Sequence, residues 1–294
     1  MRVDAELVSI GEMSDDVNFN KANIVVYSIV GILHFIGLIL LSLSKSDLPN
    51  QRLLMINLAV AEISFCLTRV VSCSVELRTG ASEDLIEHIL DEFCTTLFAI
   101  EIRLTMLHVI FDRFLEIITN IKYPMYMTHK RMLMVIVIHW LISLGSATTS
   151  FSLRSISSRR MQFTFFMKLI LDVIILISAI ATYLYFYKIV CKVRATEART
   201  AGQPEESGIT LLLTKFKLPC YIILTYICFN LASTILLVTS RYMSSDKQKE
   251  ILFEFSHVPM MIGIFSDAIL YVFANKNVRD LLWHVFRKRS INVL

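Results

Sequence analysis

Residues 24–44, IVVYSIVGILHFIGLILLSLS, contain no charged side chain. A helix rises about 1.5 Å per residue, so about 20 apolar residues cross the roughly 30 Å hydrocarbon core of a bilayer. Six further apolar blocks of that length follow this first one at 23–44; they lie near 53–76, 93–118, 132–152, 163–188, 217–240 and 251–274. The expected fold is an all-α membrane protein, a seven-transmembrane helix bundle. Residues 1–22 form an amino-terminal segment, 23–274 the membrane domain and 275–294 a short surface helix with its tail. Composition points the same way. The 294 residues are 55% hydrophobic and 18% charged, where a soluble domain carries about 45–50% and about 25%. Eight Gly and five Pro leave no room for a flexible linker or a second loop-rich domain.

The blocks are not uniformly apolar. Lys168 and Asp172 interrupt the fifth, and the seventh holds Pro259 and Asp267. From Asn275 to Arg289, Val278, Leu281, Leu282, Val285 and Phe286 share one helical face opposite a basic one, as in a helix lying along a membrane surface. Lys and Arg concentrate in the segments joining blocks one to two, three to four and five to six, and in the tail. The opposite segments are acidic around Glu83, Asp84, Glu87, Asp91 and Glu92. By the positive-inside rule the tail is cytoplasmic and, with seven crossings, the amino terminus is extracellular. The polar, acidic first 22 residues lack the three-part pattern of a signal peptide, so targeting is expected to rest on the first membrane helix.

Several function classes find no support. The six cysteines form no CxxC pair and no zinc-site spacing. A net charge of +4 is too small to argue for a nucleic-acid partner. No HExxH or GxSxG motif is present, so neither an enzyme nor a cofactor is expected. One half does not repeat the other, which weighs against a secondary transporter.

Four features then stand in order along the chain. The second block contains Asn57-Leu-Ala-Val-Ala-Glu62. The third ends in Asp112-Arg113-Phe114, followed by Lys122-Tyr123-Pro124. Trp140 lies in the fourth, and the seventh closes with Asp267-Ala-Ile-Leu-Tyr271 before Asn275-Lys-Asn-Val-Arg279-Asp-Leu-Leu. Over about residues 23–289 this pattern resembles the rhodopsin-like (class A) G-protein-coupled receptors: an NLAVAD segment with Glu for Asp, the DRY motif and its loop, and an NPxxY motif running into helix 8. The resemblance implies a plasma-membrane receptor that passes an extracellular ligand signal to a heterotrimeric G protein by rearranging helices 3, 6 and 7. It implies that Arg113 pairs with Asp112 at rest and swings out on activation, with Tyr271 turning inward to support it. A plain interfacial anchor is the other reading of an arginine at a helix end.

The sequence also departs from the family. His88 stands where the family has its helix-3 cysteine, and residues 151–162 contain no partner cysteine. Helix 6 keeps Phe229 but lacks the family's Trp and Pro, and Lys215 stands where many relatives have an acid. A receptor-like protein that binds without signalling therefore stays open, and a transporter is the more distant alternative.

Ionisable groups inside a bundle are costly and informative. At about 1.5 Å per residue, Glu62 lies about 18 Å in from the cytoplasmic side and Arg103 about 15 Å above Arg113, a similar depth that suggests that they pair. In relatives the positions of Glu62 and Asp267 help hold a sodium ion; here the usual polar partner on helix 3 is Ile102. Amine receptors of the family carry an Asp where this chain has Thr95, so a biogenic amine is not expected as ligand. Thr95, Ala99, Ile102 and Met106 recur at helical spacing as an inner face. Arg69, Lys168, Asp172 and His257 are candidate polar ligand contacts, although Lys168 and Asp172, four residues apart, equally suit one another. His34, His108 and His139 read as core polar residues.

Overall fold

The computed structural model describes residues 2–43, 49–79, 89–119, 122–153, 157–199, 208–243 and 246–273. Seven long helices account for most of them: α1 (Arg2–Leu43), α2 (Pro49–Thr79), α3 (Thr95–Thr119), α4 (His129–Ser152), α5 (Ser157–Arg199), α6 (Gly208–Tyr242) and α7 (Asp246–Phe273). A π-helical turn at Ile89–Cys94 leads into α3, and a single turn at Tyr123–Tyr126 separates α3 from α4. The surface helix expected over 275–289 lies outside the described residues, as do the side chains of Lys215, His257 and Tyr271.

α1 extends well before the apolar block that announced it. Among the described residues the segment read as a separate polar terminus is helical from Arg2, and no proline interrupts 2–43. Among the described residues, five helices are long and apolar enough to cross a membrane, over Asn18–Leu43, Asn50–Arg78, His129–Ser152, Phe166–Val193 and Ile223–Ser240. α7 contributes a shorter apolar stretch, Val258–Leu270.

Six helices close a ring in the order α1, α2, α4, α5, α6, α7, with α7 returning to α1. α3 stands inside it, against α2, α4, α5 and α6. That place explains why α3 buries residues all round its circumference, from Ala99, Ile102 and Met106 to Glu101, Arg103, Asp112 and Arg113. The bundle's polarity is inverted relative to a protein packed in water. Val25, Ile29, Ile32 and Ile36 of α1, Met134, Val137 and Leu141 of α4, and Ile170, Val173 and Ile177 of α5 face outward. Glu62, Glu101, Arg103, Asp112, Arg113, Asp172 and Asp267 are buried. Lipid suits the first set, and mutual pairing suits the second.

α6 and α7 approach closely at Gly263, where a Cβ would stand 3.1 Å from the Cβ of Phe229. A Cβ is fixed by its backbone and cannot rotate aside, so even one methyl group must push the helices apart. Gly263→Ala is expected to lower stability by about 1–2 kcal/mol, and Gly263→Val by more, as overpacking does. Thermal unfolding of the purified protein in nanodiscs checks the order.

Candidate functional site

Three polar clusters radiate from α3. The first joins it to α2 and α4. Asn57 Nδ2 donates to Glu101 Oε1 at 2.9 Å and to Thr105 Oγ1 at 2.7 Å. Thr105 Oγ1 donates to Glu101 Oε1 at 3.1 Å, and Ser143 Oγ to Glu101 Oε2 at 3.0 Å. Trp140 Nε1 donates to Asn57 Oδ1 at 2.9 Å, while its ring meets Phe98 edge-on at 6.1 Å. Asn57 thus uses its amide nitrogen and its oxygen at once, which locks its orientation. Trp140→Phe would keep the ring contact and orphan Asn57 Oδ1. We expect a loss of about 1 kcal/mol, read by thermal unfolding.

The second cluster joins α3 to α5 and α6. Arg103 donates from Nε to Asp172 Oδ1 at 2.9 Å and from Nη2 to Oδ2 at 3.3 Å. Its Nη1 donates to the Ala99 carbonyl at 3.0 Å. Tyr226 Oη and Thr234 Oγ1 of α6 complete the acceptor side of Asp172, at 2.9 Å and 2.7 Å. This overturns the expected Glu62–Arg103 pair. Equal depth is necessary for two groups to meet but does not fix azimuth, and Arg103 points to α5 rather than α2. It also moves Asp172 from candidate ligand contact to core ion pair, since both its oxygens are taken by other helices.

Glu62 faces the other way. Its Oε2 lies 3.2 Å from His34 Nδ1 on α1, and His34 Nε2 donates to the Ile264 carbonyl of α7 at 2.8 Å. Glu62 is also a hydrogen-bond partner of Asp267, which accepts from Thr225 Oγ1 at 2.9 Å. The two acids expected together do meet, with His34 of α1 beside Glu62 and Thr225 of α6 donating to Asp267. Among the described residues no group of three or more His, Cys, Asp and Glu is placed to hold a metal ion.

The third cluster caps the carboxyl-terminal end of α3. Arg113 pairs with Asp112 through Nη2 and with Glu116 through Nη1. Tyr123, on the turn after α3, donates its hydroxyl to Asp112 Oδ1. Burial, and then the facing Asp112 carboxylate, push the Tyr123 phenol above its ordinary range, so it stays protonated as a donor. Pro124 lies at the start of that turn, where a missing N–H costs nothing. Asn50 of α2 clamps the turn by donating to the Met127 carbonyl at 2.5 Å. Phe114 packs edge-on against Tyr185 of α5, ring centres 5.7 Å apart.

The expected ligand residues are not gathered in the same way. Ala99 is buried, and Thr95 and Lys168 are half-buried. Arg69 is a hydrogen-bond partner of Tyr27, and the His257 side chain lies outside those described. The sequence reading missed Thr105, Ser143, Thr225, Tyr226 and Thr234. One signal was available: Ser143 follows Trp140 by three residues, so both share a face of α4 and reach the same partner cluster. No protein-family model and no curated protein matches this chain.

Proposed function

We propose that the chain is a divergent rhodopsin-like receptor of the plasma membrane. Its amino terminus lies outside, seven helices cross the bilayer, and an extracellular signal reaches a heterotrimeric G protein through α3, α6 and α7. The observation that carries the reading is the state of Arg113. Its guanidinium is buried at the end of the central helix, held by Asp112 and Glu116, with Tyr123 fixing Asp112 in turn. That is a resting lock of the kind the motif implies, beside an α6 that touches α3. Outward movement of α6 would open the end of α3 to the cytoplasm and release the arginine, a two-state change. Pairing of the buried charges in separate local clusters, rather than along one continuous polar stripe, favours a receptor over a transporter. The reading assigns no catalysis, and Thr95 at the amine position argues against a biogenic amine ligand.

The test is ligand-independent nucleotide exchange by G proteins in membranes carrying wild-type chain, Arg113→Ala or Asp112→Asn. Arg113→Ala should fall to the background of empty membranes. Asp112→Asn removes an ion pair from the resting state alone; a bias of about 1.4 kcal/mol would raise the active fraction about tenfold. If all three chains sit at background with every G protein tried, a binding-only receptor is the better account.

A further inference from the structure

Between α3, α4 and α5, in the half of the bundle nearer Arg113, lies a cavity of about 530 Å³. Its walls are almost wholly apolar, Phe111 and Val135 among them. Two histidines break that pattern: His108 of α3 and His139 of α4 line it together, rings edge to face with centres 5.3 Å apart. His108 Nε2 and His139 Nδ1 are both buried, and neither has a hydrogen-bond partner within the protein. The Thr182 hydroxyl in the same wall is already spent on the Ser178 carbonyl at 2.8 Å. Buried polar atoms are paired in nearly all cases, so two adjacent orphans on one cavity call for an outside partner. Phe111 lines the cavity and is 51% exposed, so the cavity is open beside its ring.

We propose that this cavity takes from the bilayer an apolar molecule bearing a single hydroxyl, with that hydroxyl set between His108 Nε2 and His139 Nδ1. A neutral imidazole nitrogen either donates or accepts. A hydroxyl does both, so it satisfies one ring N–H and one bare ring nitrogen together. A hydrocarbon would leave both unpaired, and a carboxylate would bring a charge into apolar walls. The volume falls within the range of about 300–1,000 Å³ usual for small-molecule sites. A rigid sterol and a long-chain alcohol both carry this chemistry.

The full chain in phosphatidylcholine nanodiscs is labelled with a tritiated, diazirine-bearing sterol alcohol. Cholesterol, hexadecanol and the deoxy sterol cholestene compete. Saturable labelling of α3–α5 peptides is expected, with an alcohol displacing the probe at about tenfold lower concentration than cholestene, since two hydrogen bonds separate them. Whether cholesterol or hexadecanol is the better competitor identifies the source, and either supports the site. The double variant His108→Phe/His139→Phe should erase the preference for the hydroxyl. Ala181→Phe, which puts a larger side chain into the cavity wall, should cut labelling several-fold at an unchanged melting temperature, and it carries the test if the double variant does not fold. Labelling that does not saturate, that survives Ala181→Phe, or that cholestene displaces as well as the alcohols overturns the proposal. None of these readouts involves a G protein, so the outcome is separate from that of the receptor reading.

Discussion

Asp172→Ala is expected to lower stability by about 3–5 kcal/mol, the cost of stranding a buried charge whose partner is removed. Arg103 would keep only the Ala99 carbonyl for its Nη1, with Nε and Nη2 facing the space the carboxylate had filled. It is 5% exposed, so water cannot take over. The loss also loosens α6, because Tyr226 and Thr234 both donate to the Asp172 oxygens. Thermal unfolding in nanodiscs should show the drop. The double variant Arg103→Met/Asp172→Leu discriminates between the pair and its surroundings. With both charges gone and volume kept, most of the stability should return, as it does when apolar residues replace a buried ion pair. Thr234 can then bond back to the carbonyl one turn earlier. If the double variant is no better than Asp172→Ala, the pair is not what the single substitution damaged.

The fold was legible where lipid writes the sequence and much less so where protein does. Residues 24–44 announce a span because their outward side chains, such as Ile29, Ile32 and Ile36, meet hydrocarbon. α3 is the reverse case. It is the most enclosed helix, and although its block at 93–118 reads as a span, it is not among the five described helices that are long and apolar enough to cross a membrane. Glu101, Arg103, Asp112 and Arg113 each find a partner inside the ring, and hydropathy counts a paired charge as though it were bare. The motif residues were legible in part. Asp112 and Arg113 lie together because they are neighbours in sequence, and Tyr123 joins them across one tight turn. Which charge pairs with which could be read only as far as depth. Along a helix depth is set by residue number, whereas direction depends on how each helix is rotated in the ring. The Glu62–Arg103 expectation failed on rotation, and the meeting of Glu62 with Asp267 succeeded on it.

Glu101 gives the second large effect and a sharper contrast. Among the described residues, the side chains that donate to it, Asn57, Thr105 and Ser143, are neutral. It therefore serves as an acceptor hub for α2, α3 and α4 rather than as one half of an ion pair. Glu101→Ala removes the hub. The two hydroxyls can turn back to their own helices, but part of the Asn57 amide cannot, and a void opens beside Trp140. A loss of about 3 kcal/mol is expected from the unsatisfied donor and the cavity together. Glu101→Gln should behave quite differently. Its Oε1 can keep the bonds from Asn57 and Thr105, while its amide donates to a Ser143 hydroxyl that reverses direction, since hydroxyls accept as readily as they donate. Removing an uncompensated charge from a low-dielectric interior offsets the weaker bonds, so this variant should unfold within about 1 kcal/mol of wild type. Glu101→Leu, filling the volume without accepting, belongs between the two. If Gln and Ala prove equally damaging, the negative charge itself stabilises the bundle, and a cationic partner must face Glu101 that the hydrogen bonds to Asn57, Thr105 and Ser143 do not include.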